Sequence, residues 1–166
     1  MSNINAIDKI KKLEAGFGKI SGVFKILLFT DGSVTAALEA LYANLSAKLL
    51  KQEVVKAAAK TAKLLDARRG SDVNVRKILM HRDGSPLMAA LSYTAMQRLP
   101  EAVKKDLTAG NEAIGKILKK HNIETRRELL SVGADIAKNL LHRKYVIISS
   151  GQKLIYIEEK FYPNNF

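Results

Sequence analysis

The stretch from Val73 to Ala95 constrains this chain's fold more than any other. Val73, Val75, Lys77, Leu79 and His81 alternate with Asn74, Arg76, Ile78 and Met80, Asp83-Gly84 then supplies a hairpin turn, and Pro86 to Ala95 reads as the return strand. A second hairpin closes the chain, with β-rich runs Leu141 to Ser149 and Lys153 to Tyr162 joined at Ser149-Ser150-Gly151. Helical patterns come first in the sequence and these antiparallel pairs follow. That order argues for an α+β fold built on one antiparallel sheet rather than a βαβ arrangement.

Ile4, Ile7, Ile10 and Leu13 predict an amphipathic helix over Asn3 to Leu13, with Asn3 or Asn5 as its cap. Val34, Leu38, Leu41, Tyr42 and Leu45 predict a helix from Val34 to Leu45, with Ser33 as N-cap. The segment Ala47 to Asp66 is ambiguous: Ala57 to Ala59 and the lysine spacing favour helix, Val54-Val55 after Leu49-Leu50 suits a strand, and propensity alone reads the segment as helix. Pro100 opens a short helix through Leu107, and Ile114, Ile117 and Leu118 mark another that closes near His121-Asn122. Glu124 to Val132 reads as a strand leading into a connection from Gly133 to Asn139.

Composition narrows the chemistry. The 166 residues fit one domain spanning 1–166 with its own core. The lack of cysteine excludes a disulfide scaffold, a thiolate zinc or iron–sulfur site and a Cys nucleophile. The N-terminus has charged clusters before any apolar run, unlike a signal peptide, and apolar stretches such as Ile26 to Phe29 fall far below the roughly 20 residues that span a bilayer. A cytoplasmic, membrane-free protein is the expectation, and a monomer, since no sustained exposed apolar stripe is evident.

The 28 Lys and Arg outnumber 16 Asp and Glu for a net charge of +12, which invites a nucleic-acid partner. The cations are scattered from Lys9 to Lys160 among acids, and aromatics make up only 6% of the chain, so nucleic-acid binding is the weaker reading. A basic field that concentrates small anions at a pocket is the alternative. P-loop, GxGxxG, HExxH and nucleophile-elbow patterns are missing. His81, His121 and His142 stand on unrelated elements and suggest no metal site.

Charges inside the strands are the informative exception. Arg76 interrupts Val73 to Met80, and Glu158-Glu159 interrupt Leu154 to Phe161. Such groups face solvent, pair with each other, or face the core and need a ligand or partner there. Parity leaves this open, because Ile78 and Met80 share the face of Arg76 while Val73, Val75 and Leu79 share the other.

Four segments, in order, carry a family resemblance: Leu28-Phe29-Thr30-Asp31-Gly32-Ser33-Val34-Thr35; Val75-Arg76-Lys77-Ile78-Leu79 with Asp83-Gly84-Ser85-Pro86-Leu87-Met88-Ala89; Ala113-Ile114-Gly115-Lys116-Ile117-Leu118; and Arg143-Lys144-Tyr145 with Ile157-Glu158-Glu159-Lys160-Phe161-Tyr162-Pro163. Together they resemble the chorismate–pyruvate lyases, particularly their shorter archaeal and algal branch. The resemblance implies a six-stranded antiparallel sheet with helices covering one face and a pocket enclosed between them. It also implies that part of Ala47 to Ala58 is a strand.

For function, the resemblance implies a cofactor-free lyase that eliminates pyruvate from chorismate and leaves 4-hydroxybenzoate. Arg76 would bind the ring carboxylate, and Glu159 the ring hydroxyl, with a role as acid or base. Val34 and Ile114 would offer main-chain N–H groups to the hydroxyl and carboxylate ends. Glu158, one residue on, should face the other side of its strand and stay solvated. Bacterial members usually carry a second arginine where this chain has Leu91; either Arg68, Arg69, Arg143 or a lysine substitutes for it, or the substrate preference differs. The related UTRA domains give a second expectation, a sensor that binds an aromatic or sugar acid without turnover.

Overall fold

A computed structural model describes residues 5–110 and 112–166. Helix α1 (Ala6–Phe17) begins at Asn5, whose side-chain oxygen accepts from the Ile7 and Asp8 amides at 3.1 and 3.4 Å. The other expected cap, Asn3, lies outside the described residues. Ser21 caps α2 (Gly22–Phe29), and Ser33 caps α3 (Val34–Leu41) by accepting from the Ala36 amide at 3.3 Å.

Helix α3 ends at Leu41 instead of the expected Leu45. Tyr42 is extended there, its ring meeting Phe166 at a 6.0 Å centroid distance and lying under the Arg82 guanidinium at 4.5 Å. Leu45 opposite Arg82 already belongs to β1 (Leu45–Lys56). The ambiguous stretch divides, since β1 is followed by the short α4 (Ala59–Leu65). Ladder pairing to β2 (Asp72–Arg82) overrides the helical propensity of Ala47, Lys48 and Lys51, so the helix expected from propensity begins only at Ala59.

β2 and β3 (Ser85–Ala95) form the expected hairpin. Asp83 and Gly84 both have positive φ, 49° and 83°, as a two-residue type I′ turn requires. After a 3₁₀ turn come α5 (Glu101–Ala109), α6 (Ile114–Lys120) and β4 (Arg126–Asp135). The chain ends with β5 (Leu140–Ser149) and β6 (Gln152–Phe161), turned at Ser150 and Gly151. β4 outruns its expected end at Val132, with Gly133 as a strand residue opposite His142. The His142 ring fills the space there: a Cβ on Gly133 would stand 2.5 Å from its Cε1.

The strands form one antiparallel sheet in the order β1-β2-β3-β6-β5-β4. One face carries two apolar cores. Phe24, Leu27, Leu28, Val34 and Leu38 from α2 and α3 meet Met80, Met88, Leu141 and Phe161 in the first. Val103, Leu107, Ile117 and Leu118 from α5 and α6 meet Tyr145, Ile147, Ile155 and Ile157 in the second. On the opposite face α4 sets Ala62 and Leu65 on Val73, Ala95, Val146 and Tyr156, so one short helix stands apart from the rest. The edge strand β1 keeps Leu49, Leu50 and Val54 exposed.

Candidate active site

Where the two cores part, the sheet encloses a cavity of about 590 Å³ counting its open mouth. Its floor on the central strands is Ala90 and Ser92 of β3 with Ile157 of β6. Small side chains in the middle of the sheet create the space, because larger residues there would fill it.

Arg76 of β2 stands at one side, only 5% exposed. Its Nη2 donates to the Gly110 carbonyl at 3.2 Å, while Nε and Nη1 have no partner among the described residues. Gly110 closes α5 in the left-handed region, φ 77°, and thereby presents that carbonyl. Burial pulls the guanidinium below its usual pKa, although an arginine so shifted stays charged. A buried cation with idle donors is costly unless an anion meets it.

Glu159 of β6 faces the same cavity, likewise 5% exposed. Its oxygens accept from Arg143 Nε at 2.6 Å and from the Tyr145 hydroxyl at 2.9 Å. Arg143, opposite Glu159 in the ladder, also donates to the Thr30 carbonyl at 2.8 Å and lies 4.5 Å over the Tyr145 ring. Burial, then the Glu159 carboxylate, push the Tyr145 hydroxyl well above the usual phenol range. Arg76 and Glu159 therefore do not pair with each other. They sit two strands apart, roughly 10 Å of sheet, with β3 between them.

Val34 and Ile114, the first residues of α3 and α6, line the cavity from above. No described residue accepts a hydrogen bond from either amide, as expected for first-turn N–H groups. Glu158 points to the other face, as predicted from alternation, and is half-buried there, accepting from the Tyr156 hydroxyl at 2.9 Å with Lys144 at 3.6 Å. It is thus less solvated than expected. No group of three potential metal-ligating side chains occurs among the described residues.

A family model described as "Chorismate pyruvate-lyase Rv2949c-like" matches residues 28–166, the span that holds Arg76, Glu159, Val34 and Ile114. The chain belongs to this family. A protein of Methanocaldococcus jannaschii named "Putative lyase MJ0807" is 34% identical over 155 residues, covering 82% of this chain and 76% of that protein. A chorismate pyruvate-lyase of Mycobacterium leprae is 28% identical, covering 89% and 78% respectively. Among solved structures, a GntR-family transcriptional regulator from Bacillus cereus aligns with a TM-score of 0.57 at 14% identity, over 74% of this chain and 94% of that one. That likeness concerns the fold.

Two features of this lyase-family member correct the sequence reading. Leu91 pairs with Lys77 and Glu158, and its flanking residues Ala90 and Ser92 line the cavity, so position 91 points to the opposite face. An arginine there would not enter this cavity. Of the suggested substitutes, Arg143 is engaged by Glu159, and Arg68 and Arg69 are exposed between α4 and β2. The second guanidinium lining the cavity is Arg127 of β4, which sequence reasoning missed. Its signal was parity: Arg127 and Leu129 share the face turned toward Ile147 and Tyr145, whereas Arg126 and Glu128 take the other.

Proposed function

We propose that this protein eliminates pyruvate from chorismate and releases 4-hydroxybenzoate. Arg76 carries the reading. A nearly inaccessible guanidinium with two idle donor nitrogens, facing a small-floored cavity across from a buried carboxylate, suits a flat ring with a carboxylate at one end and an oxygen at the other. The match of residues 28–166 to the lyase family supports the same assignment.

In the proposed reaction the ring C–O bond to the enolpyruvyl group breaks, and its electron pair leaves with the enolpyruvate oxygen. The adjacent, hydroxyl-bearing carbon loses its proton, and the enolpyruvate takes up one proton at its methylene carbon to become pyruvate. The dianion divides into two monoanions with no net proton or water. Aromatisation supplies the driving force, so the protein's task is orientation and one proton. Arg76 anchors the ring carboxylate with the Ile114 amide, and the Val34 amide serves the hydroxyl end. Glu159 keeps lone pairs beyond those taken by Arg143 and Tyr145, and these accept the ring hydroxyl or the ring proton.

The test is pyruvate release from chorismate, followed by coupled reduction to lactate. The wild type is expected to release pyruvate, and Arg76→Ala and Glu159→Gln to lose on the order of 100-fold or more in rate. Binding of 4-hydroxybenzoate without pyruvate release would assign a ligand-sensing role instead, a reading compatible with the fold shared with the regulators. Absence of both binding and release would remove both readings.

A further inference from the structure

We propose that Arg127 holds the carboxylate of the departing three-carbon unit, and that the cleft outside it is that unit's way out; this rests on the chorismate reading and extends it. The ring carboxylate and hydroxyl account for Arg76 and Glu159, which leaves the second carboxylate of a dianionic substrate to be met. Arg127 lines both the cavity and an adjoining cleft between α3 and α6, and the two share Ser33, Thr35, Ala113 and Gly115 as the passage between them. Its guanidinium is underused: Nη1 reaches the Asp31 carbonyl at 3.4 Å, and the buried Nε has no partner among the described residues.

The order of charges across the sheet follows the order of groups along the substrate. Arg76 is on β2, Glu159 on β6 and Arg127 on β4, so the two arginines bracket the glutamate over about 19 Å of sheet. In chorismate the enolpyruvyl group is attached beside the hydroxyl, at the end of the ring away from the ring carboxylate. With the ring carboxylate on Arg76 and the hydroxyl at Glu159, the second carboxylate extends toward β4. Gly115 presents no side chain to the passage. A Cβ there would stand 3.8 Å from Arg127 Nη2 and 3.9 Å from Ser33 Oγ, in the gap itself. Lys116 and Lys119 on the outer cleft add positive potential, offset by Glu39, which pairs with Lys116 at 2.7 Å.

The experiment compares a two-carboxylate with a one-carboxylate ligand in wild type, Arg127→Ala and Arg127→Lys. For Arg127→Ala, the chorismate KM is expected to rise on the order of 10- to 100-fold, while the Kd for 4-hydroxybenzoate stays within about 3-fold. Arg127→Lys, which keeps the charge and loses the fork, should fall between. Retained 4-hydroxybenzoate binding also shows that the variants fold. An unchanged chorismate KM, or equal loss of both ligands, would overturn the assignment. If the wild type binds chorismate and releases no pyruvate, the lyase reading fails, and calorimetry still decides for Arg127: selective weakening of chorismate in Arg127→Ala supports the subsite, and parallel weakening or none removes it. Failure of the wild type to bind chorismate removes both.

Discussion

Arg76 and Glu159 are buried to the same degree on the same face of one sheet, yet the fold surrounds them differently. Glu159 has both oxygens occupied by Arg143 and Tyr145, so its charge is compensated before any ligand arrives. Arg76 has a single backbone carbonyl and two idle donors. At the Glu159 end the buried charges already compensate one another, with Arg143 Nη2 alone left without a partner among the described residues, whereas the Arg76 end has no counter-charge until an anion is present. Removing the first charge should therefore injure the fold as well as the chemistry, and removing the second should injure binding and turnover while leaving the fold intact.

The largest effect is expected from Glu159→Ala, which leaves Arg143 buried beside an empty place. Besides losing pyruvate release, this variant should lose about 3–5 kcal/mol of stability in denaturant titration. A variant as stable as wild type would show that the two ends are not held differently. Arg76→Met should change stability by no more than about 1 kcal/mol, because an apolar chain replaces a poorly compensated cation, while 4-hydroxybenzoate affinity falls on the order of 10- to 100-fold. Loss of stability comparable to that of Glu159→Ala would erase the contrast. Ala90→Leu tests the space between them: the added methyls enter the cavity, so calorimetry should show ligand binding lost while the melting temperature holds.

The smallest effect lies on the other side of the sheet. Burial, then Lys144 and Lys160, hold the His142 imidazole below its ordinary pKa of 6.5. The unfolded chain binds that proton more readily, so stability should be full above about pH 6.5 and decline as pH falls below it. His142→Gln should flatten this part of the thermal stability profile. Because His142 is remote from the cavity face, ligand affinity should follow a different pH dependence.

Much of this contrast was legible from local pattern. Asp83-Gly84 and Ser150-Gly151 announced both hairpins because positive-φ turns restrict composition, and Ser33 announced the start of α3 because a cap acts within one turn. Tyr42 was misread because its partners, Phe166 and Arg82, are distant in sequence. β1 lacks a burial pattern, with most of its residues exposed at the sheet edge, so periodicity could not reveal it. Arg76 and Glu159 stood out as charges in apolar strands, but their faces depended on register. The same alternation removed Leu91 from the cavity and brought in Arg127, a choice that required knowing which neighbours β3 and β4 pair with.

The parting of the two cores also bears on how the molecule moves. Val34 belongs to the helices above one core and Ile114 to those above the other, and the two groups bury their apolar faces in separate clusters, joined across the cleft by the exposed Glu39–Lys116 pair at 2.7 Å. Each can loosen from the sheet with some independence. A ring gripped by the amides of both helices would act as a cross-brace, so that opening either group must first release the ligand. Occupancy would then be felt as a stiffening of the whole helical layer, well beyond the residues that touch the bound molecule.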